Sequence, residues 1–477
     1  MNYDAKLIRF GRTNLDKTKY LVKNIGILTV SNFTSKILIF LLVPLYTSIL
    51  STSEYGIYDI VYSTIQLLFP FLTLNVSDAV MRFLMDKEKK EKSVIVIGTR
   101  LLLLSIMPIT VFMIGCWKGG WIKPIIGLEL YILLYAISFF SFQFFVQTAK
   151  GLEKIKDMGI AAVLSTLFFL LGNMIFLLVF KMGVKGFYLA NIFSQFTPAL
   201  YLFFRLKIWK HSFLYKVDKK LAYEMILYSL PLIVSIWGWW VNNAANKYIV
   251  SLFIGSSANG LLSVAYKIPS IISVLQSIFI QAWQISAIKE FGSENANCFY
   301  GRIFSFLNAM TSILCSLLLI LTKPIASIMY SNEFYNAWEY VPFLLIACVI
   351  NSAAGFLGPI LSAKKDSKSM AISALYGAIA NIFLGVILVT TIGVQGACVA
   401  TVISSTIIFF SRKKNVNSDI VINDYTKIII TWILLCVQAS LEIYSPIWWI
   451  ELIIILSLLI INHKMISLFF QKMIKIF

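Results

Sequence analysis

Residues Asn24–Leu50 read NIGILTVSNFTSKILIFLLVPLYTSIL, and the short turn STSEYG, Ser51–Gly56, follows. The run is apolar for long enough to cross a bilayer, because a helix rises about 1.5 Å per residue and the hydrocarbon core is roughly 30 Å thick. Lys36 stands at its middle. A lysine at that depth costs about 2.5–3.5 kcal/mol on insertion scales, so it faces protein or a water-filled cavity and not lipid. The stretch predicts a membrane helix with an inward-facing cation, and the rest of the chain must say what that cation meets.

Of the 477 residues, 59% are hydrophobic and 13% charged, with a mean hydropathy of +0.83. A soluble chain would carry about a quarter charged residues. The expected class is an all-α polytopic membrane protein. The first 23 residues are polar and basic, and no cleavable signal peptide is expected in them. The formal charge of +19 does not point to nucleic acid, because the basic residues sit in short loops where membrane topology explains them. The six cysteines are scattered without a C-x-x-C pair, and the two histidines, His211 and His463, fall at polar ends. No metal site is expected from them.

Fourteen spans are read: 25–50, 57–85, 94–116, 125–148, 158–180, 187–204, 223–254, 257–286, 302–322, 339–362, 369–390, 396–411, 427–442 and 447–462. Prolines inside several are tolerated where neighbouring helices and water satisfy the freed backbone groups. With the N-terminus placed inside, 31 of the 41 Lys and Arg fall in the two tails and the even-numbered loops, against 5 in the opposite loops. That bias over short loops predicts cytoplasmic termini. No loop is long enough for a soluble catalytic domain.

An internal repeat organises the spans. Gly183-Val184-Lys185-Gly186 opens span six and is followed by Ala190 and Ser194. Gly393-Val394-Gln395-Gly396 opens span twelve and is followed by Ala400 and Ser404, 210 residues later. A weaker echo pairs Ser53–Gly56 with Ser257–Gly260, 204 residues apart. Six spans separate the members of each pair, so both halves share one orientation, a parallel repeat about an axis along the membrane normal. Chance recurrence of glycine in turns is the bland alternative, and two matches at near-equal offset outweigh it. The expected organisation is a basic N-terminal segment (1–24), an N-lobe of six spans (25–204), a basic linker (205–222), a C-lobe of six spans (223–411), two appended spans (427–462) and a tail (463–477).

Three lysines lie inside spans: Lys36, Lys247 and Lys267. Facing lipid, they would together cost roughly 8–10 kcal/mol, so they are expected to face inward. Lys36 shares a helical face with Asn32, and Lys247 with Asn243. In span two, Asn75, Asp78 and Arg82 fall on one face. An Asp78–Arg82 pair that simply satisfies itself is as good a reading as a coupling or gating role. Asp59 and Glu54 are read as interfacial and solvated. Deep cations then outnumber deep anions, with Asp78 the one convincing acid. A phosphate 4 Å from one ammonium gains about 4 kcal/mol at an effective dielectric of 20, so a cationic cleft favours an anionic substrate.

The opening stretch, with Pro44 and then Ser53-Glu54-Tyr55-Gly56-Ile57-Tyr58, resembles the start of bacterial polysaccharide-repeat-unit flippases of the Wzx type. These belong to the multidrug/oligosaccharidyl-lipid/polysaccharide exporter superfamily. The Gly-Val-x-Gly openings of spans six and twelve and the turn Gly151-Leu152-Glu153-Lys154 resemble that family too. The resemblance covers about 20–411. It implies two six-helix lobes in a V around a central cleft, in the bacterial cytoplasmic membrane. The implied substrate is an undecaprenyl-diphosphate-linked oligosaccharide, moved from inner to outer leaflet for O-antigen, capsule or exopolysaccharide synthesis. Related lipid II flippases use cationic residues in the cleft, first-span ones included, and Lys36 occupies that kind of position.

The expected function is a flippase and not an enzyme. It works by alternating access, with Lys36, Lys247 and Lys267, beside Asn32 and Asn243, meeting the diphosphate. No cofactor is expected beyond a coupling ion, H⁺ or Na⁺, with Asp78 and Arg82 as candidate coupling or gating residues. A polysaccharide polymerase and a chain-length regulator are expected as partners. The alternatives are an ion-coupled drug or cation antiporter on the same fold, which would need acidic residues in the cleft, and a membrane-embedded polymerase, which would show a large outer loop.

Overall fold

The computed structural model describes residues 38, 40–86, 91–210, 218–293, 296–364, 366–416, 420, 425–444 and 448–474. The elements among them are helical. In chain order they are α1 (Val43–Ile49), α2 (Thr52–Leu72), α3 (Val76–Leu84), α4 (Glu91–Gly119), α5 (Glu129–Gly151), α6 (Ile155–Asn173), α7 (Gly183–Arg205), α8 (Lys219–Phe253), α9 (Ser256–Ala265), α10 (Ser270–Glu290), α11 (Ala296–Ile320), α12 (Thr322–Met329), α13 (Val341–Ala363), α14 (Ser367–Ile392), α15 (Val394–Val416), α16 (Tyr425–Tyr444) and α17 (Trp448–Ile474).

Nine helices among the described residues are long and apolar enough to cross a membrane, and eleven spans result if each of two bent pairs counts as one. The expected first span falls largely outside the described residues. The expected sixth is α7, which carries Asn191, Ser194 and Gln195 at its middle and is not among the nine. In the expected fourteenth, Trp449–His463 is a shorter apolar helix. The count of fourteen is therefore not reproduced.

Spans two and eight are broken. α2 and α3 meet at 58°, α9 and α10 at 53°. In the first break, Leu74 and Asn75 take left-handed φ values of 52° and 50°, and the Asn75 amide donates to the Pro70 carbonyl at 2.7 Å. In the second, Tyr266–Ile268 form a turn ahead of Pro269, whose ring cannot continue the helix without loss of a hydrogen bond. The breaks do not fall at repeat-equivalent positions.

Chain contacts define two compact units. One is built on Ile65–Val234, the other on Val43–Thr64 together with the chain from Ser235 onward. The division falls inside α2 and α8, not at the basic segment 205–222, and α16 and α17 belong to the second unit. In the first unit, Tyr135, Phe140, Phe144 and Tyr188 are fully buried. Gly172 of α6 lies so near Ala190 of α7 that a Cβ would come within 2.9 Å of its Cα, which brings the two backbones together. In the second unit, α13 is apolar on nearly every side and buried on nearly every side, as a helix enclosed by others should be. Phe356 of α13 stacks on Trp283 of α10 with ring centroids 4.3 Å apart, and the Trp283 indole donates to the Phe356 carbonyl at 2.9 Å.

The two Gly-Val-x-Gly motifs share a positive φ at the first glycine and a close backbone approach at the second. Gly183 and Gly393 adopt left-handed φ values of 55° and 69°. A Cβ on Gly186 would come within 2.9 Å of the Phe176 carbonyl oxygen, and one on Gly396 would run into that of Leu388. In both, the second glycine lets a new helix start against the backbone of the preceding one. Ser194 and Ser404 then each donate to the carbonyl three residues back, Asn191 and Thr401.

Candidate functional site

Within the second unit, α2 crosses α9 through the stretch that echoes it in sequence. Thr52 Oγ1 lies 2.6 Å from Ser257 Oγ, and Ser53 Oγ 2.8 Å from Ser256 Oγ. A Cβ on Gly56 would run into the Ser256 carbonyl oxygen, and one on Gly260 into that of Thr52. Each contact has its reciprocal, the signature of two equivalent segments packed about a local twofold. The Asn259 amide donates to the Gly56 carbonyl at 2.9 Å. Glycine at both positions permits this backbone-to-backbone approach, as small residues do at helix crossings in membranes.

One turn beyond Gly56 lies Asp59, buried at 7% exposure. Its Oδ1 is 3.0 Å from Lys247 Nζ of α8, and its Oδ2 accepts from Ser263 Oγ of α9 at 2.7 Å. Further along α2, the Trp240 indole donates to the Ser63 carbonyl at 2.9 Å, and Thr64 Oγ1 lies 2.7 Å from Tyr248 Oη. The first part of α2 is thus tied on one side to α9 and on the other to α8. Nearer its start, Tyr46 and Tyr55 stack with centroids 5.1 Å apart, and Phe334 meets Tyr55 edge-on.

Lys267 sits in the turn between α9 and α10, half-buried. Among the described residues no acidic group forms an ion pair with its ammonium. The break places its charge at the end of a helix segment inside a span, where freed backbone carbonyls also lie. Asn246, one residue before Lys247, is buried and donates to Asn381 Oδ1, Ala397 O and Thr401 Oγ1 at 2.8–3.2 Å. An apolar groove of about 650 Å³ runs along α16, lined by Val402, Phe410, Trp432, Ile433 and Tyr444 among others.

In the first unit, Asp78 stands in the first turn of α3. It accepts from Asn75 Nδ2 and from Gln147 Nε2, each at 3.0 Å. Arg82 is exposed, and an Asp78–Arg82 ion pair is not among those of the described residues. Neutral amide donors, not an arginine, satisfy the acid.

Of the residues that the sequence singles out for a cationic cleft, Lys36 and Asn32 lie outside the described residues, as does the side chain of Asn243. Lys247 and Lys267 fall in one unit, and Asp78 and Arg82 in the other. Lys247 is not a free cation, because Asp59 neutralises it. The expectation that Asp59 is solvated fails for the same reason. The signal that finds it is the repeat: Asp59 and Ser263 stand 204 residues apart, the offset of Gly56 and Gly260, so a buried contact at the glycines places both in it.

The sequence matches the profile of the polysaccharide biosynthesis protein family over residues 21–284. No curated protein sequence matches it. Among solved structures, the lipid II flippase MurJ in an inward closed conformation superposes with a TM-score of 0.69 at 17% identity, over 94% of this chain and 100% of that one. An inward-facing multidrug resistance MATE family transporter of the MOP superfamily gives 0.64 at 14% identity, over 86% and 96%. A MOP superfamily transporter from Pyrococcus furiosus gives 0.55 at 13%, over 88% and 93%. At these identities the likeness is one of fold. The chain belongs to the polysaccharide biosynthesis protein family and has the fold shared by MurJ and the MATE transporters of the MOP superfamily.

Proposed function

We propose that this protein is a flippase for polyprenyl-diphosphate-linked oligosaccharide repeat units, moving them across the bacterial cytoplasmic membrane for surface polysaccharide synthesis. The observation that carries the reading is the family match over residues 21–284, which a drug exporter of the same fold would not be expected to give. The fold supports transport by alternating access. Lys267, a cation at a helix break with no acidic partner among the described residues, is suited to meet a diphosphate. Lys36 is assigned the same role from its place in the first span. The apolar groove along α16 is suited to a hydrocarbon chain. Lys247 has a different part: its pair with Asp59 holds α2 against α8.

The test is complementation in a bacterium whose own repeat-unit flippase is deleted. The wild-type gene should restore surface polysaccharide. Lys267→Ala and Lys36→Ala should each reduce it at least tenfold at normal protein levels, with Lys267→Arg retaining most of it. Normal surface polysaccharide in both alanine variants would sink the cationic role. Drug resistance on overexpression, without complementation, would favour an antiporter on the same fold.

A further inference from the structure

Three ionisable side chains meet at the end of the second unit that carries Tyr444 and Trp448, outside the repeated spans. Glu442, near the end of α16, is buried, and its Oε1 lies 3.2 Å from Lys323 Nζ at the start of α12. The same ammonium donates to the Glu442 carbonyl at 3.2 Å and lies over the Trp338 ring, 4.5 Å from its centroid. Glu451, in the first turn of α17, is buried at 4% exposure. Its carboxyl lies beside that of Glu442, and its Oε1 has no donor among the described residues.

Two buried carboxylates side by side repel, and they share a hydrogen bond only if one carries a proton, since an ionised carboxylate has no donor. One ammonium can neutralise one of them. A second buried negative charge would lack a partner and is disfavoured by desolvation. α17 packs on α11 and α16, and α16 also on α13, whose ionisable residue is Cys348; the 332–340 segment beside Lys323 brings Tyr335, Tyr340 and the exposed Glu333 and Glu339. The other ionisable residues that α11 brings are Cys298, Tyr300, Arg302 and Cys315, all two turns or more before Lys323. Those of α16 are Tyr425, Lys427, Cys436 and the exposed Tyr444. Among the described residues no second cation reaches the pair. We infer that Glu442 and Glu451 form a proton-binding site, holding one proton between them at neutral pH with Lys323 balancing the remaining charge. The ligand is H⁺. Its release on raising the pH leaves two facing anions and one cation, which loosens the contact between α16 and α17.

The experiment is infrared spectroscopy of the purified full-length protein in lipid nanodiscs. The wild type should show a protonated-carboxyl C=O band at neutral pH that is lost as the pH is raised. Glu451→Gln should remove that band. Glu442→Gln should remove it too, because Glu451 then ionises against the freed Lys323. A merely buried neutral Glu451 would keep its band in Glu442→Gln, and that result overturns the proposal. So does a wild type with no such titrating band, which needs no variant to fold.

Discussion

Lys247 Nζ and Asp59 Oδ1 lie 3.0 Å apart, and Ser263 closes the other side of the carboxylate at 2.7 Å. A buried acid with one charged and one neutral donor is satisfied, so its worth lies in what happens when one partner is removed. Breaking a buried pair from one side costs about 3–5 kcal/mol, because the survivor is left uncompensated, whereas removing both partners costs much less. Asp59→Ala and Lys247→Ala should each lower the melting temperature and the folded yield in detergent. The double variant should recover more than half of either loss. Additive losses in the double variant would show that the pair contributes nothing as a pair.

The glycine crossing allows a sharper test of packing. Alanine at Gly56 or Gly260 puts a methyl group against a backbone carbonyl, which cannot swing aside as a side chain can. Overpacking usually costs about 1–3 kcal/mol, and backbone obstruction places these two at or above the top of that range. Gly238→Ala on α8 is the control: a Cβ there meets nothing within 4 Å, and alanine is the better helix former. Thermal melting should separate the three. A Gly260→Ala variant as stable as wild type would mean that α2 and α9 do not cross as closely as described.

Composition alone settles that this is a helical membrane protein, because 59% hydrophobic residues over 477 leave no other class. The repeat is legible because left-handed glycines have few substitutes, so Gly183 and Gly393 mark the same turn in both halves. The partner of Lys247 was not legible. An aspartate three residues past a polar turn reads as interfacial unless the crossing that buries it is known, and that crossing depends on chain pairing that periodicity does not encode. Glu442 and Glu451 were hidden for a similar reason: one closes a span and the other opens the next, positions where acids are normally solvated. The break at Tyr266–Pro269 was visible as a proline, but its 53° bend was not.

Asp366 gives a pH-dependent contribution outside the spans. It caps α14, where its carboxylate accepts from the Ser369 amide at 3.0 Å. Hydrogen bonds donated by the Ser369 hydroxyl and then by its backbone N–H hold the carboxyl below its usual range. A depressed carboxyl stabilises the fold above the unfolded value, about 3.9 for Asp, and the contribution fades as the pH falls through the folded value. Wild type should therefore melt higher than Asp366→Ala at neutral pH, and the gap should close only below about pH 4. Asp366→Asn should still cap but show no such closing. Melting curves across that range decide it, and a gap independent of pH in the wild-type comparison would rule the carboxylate cap out.

The two Gly-Val-x-Gly turns should resist substitution for reasons that differ from glycine to glycine. A Cβ on Gly183 or Gly393 meets nothing within 4 Å, so only the left-handed φ of 55° or 69° resists a side chain. Alanine at Gly183 should cost about 1–2 kcal/mol, and asparagine less, because its short polar side chain tolerates a left-handed φ; at Gly393 the ψ of −149° suits glycine alone, so asparagine gains nothing over alanine. Gly186 and Gly396 have the opposite problem. Their backbone is ordinary, but a Cβ meets the carbonyl of Phe176 or Leu388. Asparagine should therefore rescue relative to alanine at 183, and be no better than alanine at 186, 393 and 396. Melting temperatures of the eight single variants test this. Asparagine better than alanine at 186, 393 or 396, or no better at 183, would mean that conformation and close packing are not the separate causes.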